Sequence, residues 1–380
     1  MTNIATQATH FDTREAQSVS RPLPGKVTTA YARENHLLLG RAPQVAVQAG
    51  GTPVGPDATP RQAFRAAGAD FTVGARPLAF DALGDIHPPE NAPESATFDW
   101  RALSTHKAIV RTDTGCALGV VGRNYTPVQN ESLIQLFEFL REDAQIENIV
   151  VLNNGSKIFA TASIDIQGDI TEGDTVRRYL HAFNSHDGSS AFGVFFSDMR
   201  LVCANQLRFI AGRGARTAAS NGTGLVMRHT RSVEEFAAKL PQLIDLENAR
   251  FHRDLNELRP LTTAKLTTES SRAILERTYA DKLATPIKDK ESGAKRERTL
   301  DDLPEIATIR SHAFGSTGIG IDPADRSVWT LFQAITQAET HDTGRAKDEV
   351  SRARARLESL WGGNAAKRIE RAREACLAFA

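Results

Sequence analysis

Three turn signals punctuate the stretch between Lys107 and Asp198, and they constrain the fold more than any other feature of the chain. Thr112-Asp113-Thr114-Gly115 separates KAIVR from CALGVV, Asn153-Asn154-Gly155-Ser156 separates ENIVVL from KIFATASIDI, and Asp187-Gly188 separates YLHAFNS from AFGVFF. Asn-Gly and Asp-Gly reach positive φ at little steric cost and match the twist of flanking strands, so each pair of apolar runs reads as an antiparallel hairpin. Between the first two hairpins, Leu133, Leu136, Phe137 and Leu140 recur at helical spacing behind Gln129 or Asn130, with Glu131 in the first turn. The expected fold class is α+β: an antiparallel sheet of hairpins with a packed helix, followed by a mainly helical C-terminal region.

The rest of the chain divides around this core. Residues 1–97 are rich in Ala, Gly, Pro, Thr and Gln and poor in large apolar side chains, which predicts a poorly ordered arm with one short helix near Arg61 to Ala67. Residues 98–231 form the α+β core. There CANQLRFIAG reads as a short helical turn ending at Gly212, GRGARTAASNGTGL as a basic Gly-rich loop, and VMRHT as a last strand. Residues 232–285 are helical, with Ser232 as N-cap and a kink or break at Pro241. Residues 286–299 have almost no apolar content and read as a solvated linker, and residues 300–380 are helical again.

Net charge matters for the function classes. Lys+Arg and Asp+Glu are both 46, so any polyanion-binding surface must come from local segregation of charge. Three widely spaced cysteines suit neither a disulfide framework nor a zinc ribbon. With no apolar leader or long apolar run, the expectation is a cytoplasmic protein with no membrane contact.

The densest polar chemistry lies between Val176 and His229. His181, His186, Asp187 and Asp198 suggest a metal site, but strand alternation sends His181 and His186 to opposite faces, and no ligand-spacing signature is present; the set stands as the alternative. Ser189 and Ser190 lack a nucleophile-elbow context, and Asp-Gly with its Ser, His and Asn neighbours also reads as a hydrogen-bonded turn. Arginines form a more coherent pattern. Arg200, Arg208, Arg213, Arg216, Arg228 and Arg231 place six cations within 32 residues, against Asp198 alone on the acidic side between Val194 and Thr230. That local field suits a polyanion. The expected nucleic-acid contacts are Arg200, Arg208, Arg213, Arg216 and Arg228 on phosphates, Asn184, His186 and Asn205 as hydrogen-bonding groups, and Tyr179 or Phe192 as stacking rings. No phosphate-loop motif is present, and neither a cofactor nor catalysis is expected.

RTDTGCALGVVGRNYTPVQN, YLHAFNSHDGSSAF, RLVCANQL, RHT, VWTLFQAITQAETHD and LWGGNAAKRIERA together resemble the phage and plasmid-like proteins of the domain-of-unknown-function 932 family, over about Trp100 to Ala380. A weaker likeness, through VVLNNGSKIFATASI and its neighbours, is to the ring-forming single-strand annealing proteins. That likeness implies an oligomer holding single-stranded DNA by its backbone, without metal or nucleotide. This chain lacks a lysine-rich groove strand, so the role would fall on the arginines around the Gly-rich loop. The expectation is therefore a mobile-element, homo-oligomeric protein that binds single-stranded DNA and promotes annealing or recombination. The alternatives are a metal-dependent phosphodiesterase or nuclease, and a structural or host-defence-modulating interaction protein.

Overall fold

A computed structural model of the chain describes residues 51–82, 100–140, 142–190, 192–200, 205–209, 224–227, 233–289, 293–342, 348–360 and 363–380. Within these residues the antiparallel, hairpin-built core and the helical C-terminal region are both present, as the turn signals imply.

Residues 51–82 are built into the core, in contrast to the poorly ordered arm expected there, and the one short helix expected near Arg61 to Ala67 is present as Pro60–Ala66. β1 (Thr52–Pro53) adds to the edge of the main sheet, and α1 (Pro60–Ala66) opens with a reciprocal cap. The Gln62 amide donates to Thr59 Oγ1, and the Thr59 amide donates to Gln62 Oε1 at 2.9 Å. Pro60 supplies the pre-set φ of a first helical residue. A few apolar groups pin the segment, because Phe64, Ala69, Phe71 and Val73 are all buried. Residues 1–50 and 83–99 of the expected arm lie outside the described residues.

β2 (Val73–Asp81), β3 (Trp100–Arg111) and β4 (Ala117–Gly122) form a three-stranded antiparallel sheet, with Gly115 at φ 72° in the turn before β4. α2 (Glu131–Phe139) turns Leu133, Ile134, Leu136 and Phe137 inward. There follow β5 (Ala144–Leu152), β6 (Lys157–Asp169), β7 (Thr175–Ser185), β8 (Phe192–Arg200), β9 (Asn205–Phe209) and β10 (Gly224–Met227). With β1 they make a seven-stranded sheet ordered β1-β5-β6-β7-β8-β10, and β9 also pairs with β8. The Asn153-Asn154-Gly155 turn sits at φ 48°, 58° and 104°. β9 replaces the helical turn expected at CANQLRFIAG: β8 offers an open edge, and ladder hydrogen bonds there outweigh a weak local helix preference.

Alternation sorts the strand residues onto two faces. Ile158, Ala160, Ala162, Leu180, Ala182, Val194 and Phe196 join a core with Phe64, Leu133, Phe137 and Phe251. Val150, Leu152, Phe159, Phe183 and Phe195 point the other way.

Helices cover both faces. α3 (Val233–Ala237) and α4 (Leu240–Leu258) are separated by a break, with Pro241 in the first turn of α4 as its fixed φ dictates. α5 (Thr268–Thr278) and α6 (Ala280–Leu283) lead into a small hairpin, β11 (Ile287–Lys288) with β12 (Lys295–Arg296). This hairpin stands in the region expected to be a solvated linker, and Arg296 holds it by bonds of 2.7 and 2.5 Å to Asp302. α7 (Pro304–Phe314) packs on α8 (Val328–Gln337), whose residues are all buried and which continues into a π-helical turn (Ala338–Asp342). α9 (Glu349–Leu360) and α10 (Asn364–Leu377) lay Ala353, Leu357, Leu360, Ala365 and Ile369 on the second face of the sheet. Among the described residues no helix is long and apolar enough to cross a membrane.

Candidate nucleic-acid interface

The register of β8 places two of the arginines of the sequence, Arg200 and Arg208, at one edge of the sheet. β9 pairs with β8 from Arg200↔Asn205 to Ser197↔Phe209, and β10 resumes on the same side from Phe195↔Gly224 to Phe192↔Met227. β9 and β10 are therefore two halves of one edge strand, with Phe196 alone between them on β8. In the sequence, residues 210–223 connect β9 to β10 and include Arg213 and Arg216. Arg208 lies on β9 opposite Asp198, Arg200 closes β8, and Arg228 directly follows β10. For Arg200, Asn205 and Arg208 the backbone alone is described, and Arg213, Arg216, Arg228 and Arg231 lie outside the described residues. A guanidinium is charged at any working pH and its planar fork matches two phosphate oxygens, so cations concentrated along an edge can follow a phosphodiester chain.

Four of the other expected contacts are core groups. Tyr179 is 0% exposed on β7, on the face of His181 and Phe183, and Phe192 is 0% exposed with its ring 5.4 Å from Phe236 in an edge-to-face pair. Neither ring presents a face to a base in this structure. Asn184 and His186 are buried as well. His186 Nε2 donates to Asn130 Oδ1 (2.9 Å), Asn130 Nδ2 to the Phe71 carbonyl (3.1 Å), and Asn184 Nδ2 to the Val128 carbonyl (2.8 Å). These bonds bind the β7–β8 turn to the approaches of β2 and α2. Sequence polarity suggested exposure; here the polar groups satisfy each other inside.

The turn itself is a closed hydrogen-bonded unit. Asp187 Oδ1 accepts from Ser185 Oγ (2.5 Å) and from the Ser189 amide (2.9 Å), and Lys157 stands 4.0 Å from Oδ2. Burial pushes the Asp187 carboxyl up, but the Ser185 and Ser189 bonds and Lys157 outweigh it and leave the pKa below the ordinary value. Gly119 of β4 faces this turn so closely that a Cβ there would come within 2.6 Å of Asp187 Cα.

The alternative metal set does not assemble. His181 is clamped between Phe159 and Phe195, with ring centroids 5.1 and 4.9 Å away, and both of its nitrogens are engaged, with Thr161 Oγ1 (3.1 Å) and Ser197 Oγ (2.7 Å). Burial pushes its pKa down to about 3. Asp198 faces the opposite side of the sheet, where both carboxylate oxygens accept from Arg178 at 2.7 and 2.9 Å. Among the described residues no three His, Cys, Asp or Glu side chains converge to hold a metal ion.

Arg178 is the residue that sequence reading missed. Fully buried, it bonds Asp198, Glu247 (2.7 Å) and Asp254 (3.3 Å), and its guanidinium lies 5.2 Å from the Phe251 ring centre. Burial disfavours its charge, yet the three carboxylates outweigh that and raise its pKa. The available signal was a cation at an alternating apolar position, between Val176 and Leu180.

Residues 117–361 match the family model described as Domain of unknown function (DUF932), well over half of the chain, and the protein belongs to that family. The match runs from β4 to just past α9, so it includes every strand of the main sheet except β1, and the arginines from Arg200 to Arg231. No curated protein and no solved structure matches, and the likeness to annealing proteins gains no support from that side.

Proposed function

We propose that this protein binds single-stranded DNA without catalysing a reaction on it, gripping the phosphodiester backbone with Arg200, Arg208, Arg213, Arg216 and Arg228. The observation that supports this reading is the register of β8, which pairs with β9 and β10 along one side; Arg200 and Arg208 stand at that edge, and Arg213, Arg216 and Arg228 neighbour these strands in the sequence. Phosphate contacts of this kind give affinity without base readout, so little sequence preference is expected. Burial of Tyr179 and Phe192 takes the stacking rings out of the reading and leaves charge as its driving force. Asn205, at the Arg200 end of β9, remains a hydrogen-bonding candidate. Annealing or recombination within a mobile element would be the context, with a homo-oligomer as the working form. Exposed Phe80, Trp100 and Val120 on the small sheet offer apolar surface for self-association.

The phosphodiesterase alternative draws no support from the positions of His181, His186, Asp187 and Asp198. The test is fluorescence anisotropy of a labelled single-stranded oligonucleotide at low salt, with native mass measurement of the same sample. Affinity that falls steeply with salt supports the reading. Absence of binding at low salt, or affinity unchanged by Arg213→Glu with Arg216→Glu, refutes it.

A further inference from the structure

Ser311 and His312 lie in the last turn of α7, and the loop Gly315-Ser316-Thr317-Gly318 follows directly. His312 is buried, and both of its ring nitrogens are engaged. Nε2 donates to Asp342 Oδ2 (2.7 Å) at the end of the π-helical turn, and Nδ1 lies 2.8 Å from Thr317 Oγ1. With Nε2–H given to the carboxylate, Nδ1 keeps its lone pair and accepts the Thr317 hydroxyl. Hydroxyl, imidazole and carboxylate thus stand in the order and within the reach that a nucleophile, its base and the group orienting that base require.

The loop is pinned on the imidazole. Gln337 Nε2 donates to the Thr317 carbonyl (3.2 Å), the Ile319 amide donates to Gln337 Oε1 (2.9 Å), and the Gly315 amide donates to the Ser311 carbonyl (3.0 Å). A Cβ on Gly318 would collide with the His312 carbonyl, so glycine is what lets the loop close there. Thr317 itself is exposed, although the histidine that it bonds is not. The amides of Thr317 and Gly318 make no hydrogen bond among the described residues, which leaves two adjacent donors beside the hydroxyl. Thr317 Oγ1 also lies 3.0 Å from Ser311 Oγ, and Ser311 lines a groove of ≈ 1320 Å³ whose apolar wall includes Leu266, Leu275, Leu283 and Phe314.

We propose that Thr317 is the nucleophile of an esterase centre, with His312 as its general base, for esters of apolar carboxylic acids. Thr317 Oγ1 attacks the ester carbonyl carbon while its proton passes to His312 Nδ1. The amides of Thr317 and Gly318 serve the oxygen that becomes negative. Collapse breaks the bond to the alkoxy oxygen, which takes the proton from Nδ1 and leaves as the alcohol. Water then attacks the acyl-threonine and gives a proton to Nδ1; that proton returns to Oγ1 as the acid departs. Asp342 positions the imidazole and balances its charge in both halves. The acyl group lies along the apolar wall of the groove. Every residue involved is in the helical half, so this centre stands whatever the sheet edge binds.

The test is hydrolysis of p-nitrophenyl butyrate by the full chain, with a fluorophosphonate probe and peptide mass analysis to locate the reactive hydroxyl. Saturable turnover is expected, with one phosphonate on Thr317. Thr317→Val, a change of similar shape at an exposed position, should abolish labelling and lower kcat a hundredfold or more, while Thr317→Ser keeps both. Asp342→Asn should lower kcat at least tenfold with KM unchanged, which a purely structural tie would not do. Hydrolysis no faster than in buffer, a phosphonate on any other residue, or turnover that survives Thr317→Val overturns the proposal.

Discussion

Arg178 on β7 and Asp198 on β8 stand directly opposite in the sheet, joined by two hydrogen bonds of 2.7 and 2.9 Å, with their side chains 0% and 7% exposed. Glu247 and Asp254 reach the same guanidinium from α4, so one buried cation ties the sheet to the helix across it. Removing that cation leaves three carboxylates facing one another out of water. Arg178→Met should destabilise the fold by about 3–5 kcal/mol, the cost typical of breaking a buried pair from one side. Denaturant unfolding checks this. A loss under 1 kcal/mol, on the scale of a surface pair, would mean the cluster is solvated.

His181 predicts an acid limb in stability. The imidazole protonates near 6.5 in the unfolded chain and at about 3 in the folded one, because the Phe159–Phe195 clamp excludes water. Its contribution is complete above pH 6.5 and is lost as pH falls from 6.5 toward 3, at up to about 1.4 kcal/mol per pH unit. His181→Gln keeps hydrogen-bonding capacity but cannot titrate, so the slope of unfolding free energy against pH between 6 and 4 should flatten by about one proton. An unchanged slope would show that His181 is protonated alike in both states.

Gly119 tests how the small sheet meets the β7–β8 turn. Gly119→Ala places a methyl 2.6 Å from Asp187 Cα, and backbone cannot yield as a flexible side chain would. Destabilisation of about 1–3 kcal/mol is expected from overpacking. Gly122→Ala, with nothing within 4 Å of its added carbon, should change stability little, which makes it the control in the same thermal melts.

Legibility in the sequence followed how local the cause was. The hairpins and α2 could be read because Asn154-Gly155, Asp187-Gly188 and the Leu133–Leu140 spacing act within a few residues. β9 could not, because its strand state comes from pairing with β8 and not from the Asn205–Phe209 segment itself. Residues 51–82 were misjudged since composition averages over the few groups that matter, Thr59, Phe64 and Phe71. At the site, the arginine run was plain, and strand alternation correctly separated His181 from His186. Burial of Tyr179 and Phe192 was not, because alternating aromatics fit a core and a stacking platform equally well. Arg178 stayed hidden because Glu247 and Asp254 lie 69 and 76 residues further along the chain.

The most direct measurement of the central claim is the salt dependence of single-stranded oligonucleotide binding by the full chain, compared with Arg213→Glu/Arg216→Glu. For single strands each phosphate contact contributes about −0.7 to the slope of log affinity against log salt. Five arginine contacts predict a slope near −3.5 for the unaltered protein, and reversal of two should bring it to about −2 or shallower with at least a tenfold loss of affinity. A flat salt response, or the same slope and affinity in both proteins, would contradict the claim that the β9–β10 edge holds a nucleic-acid backbone.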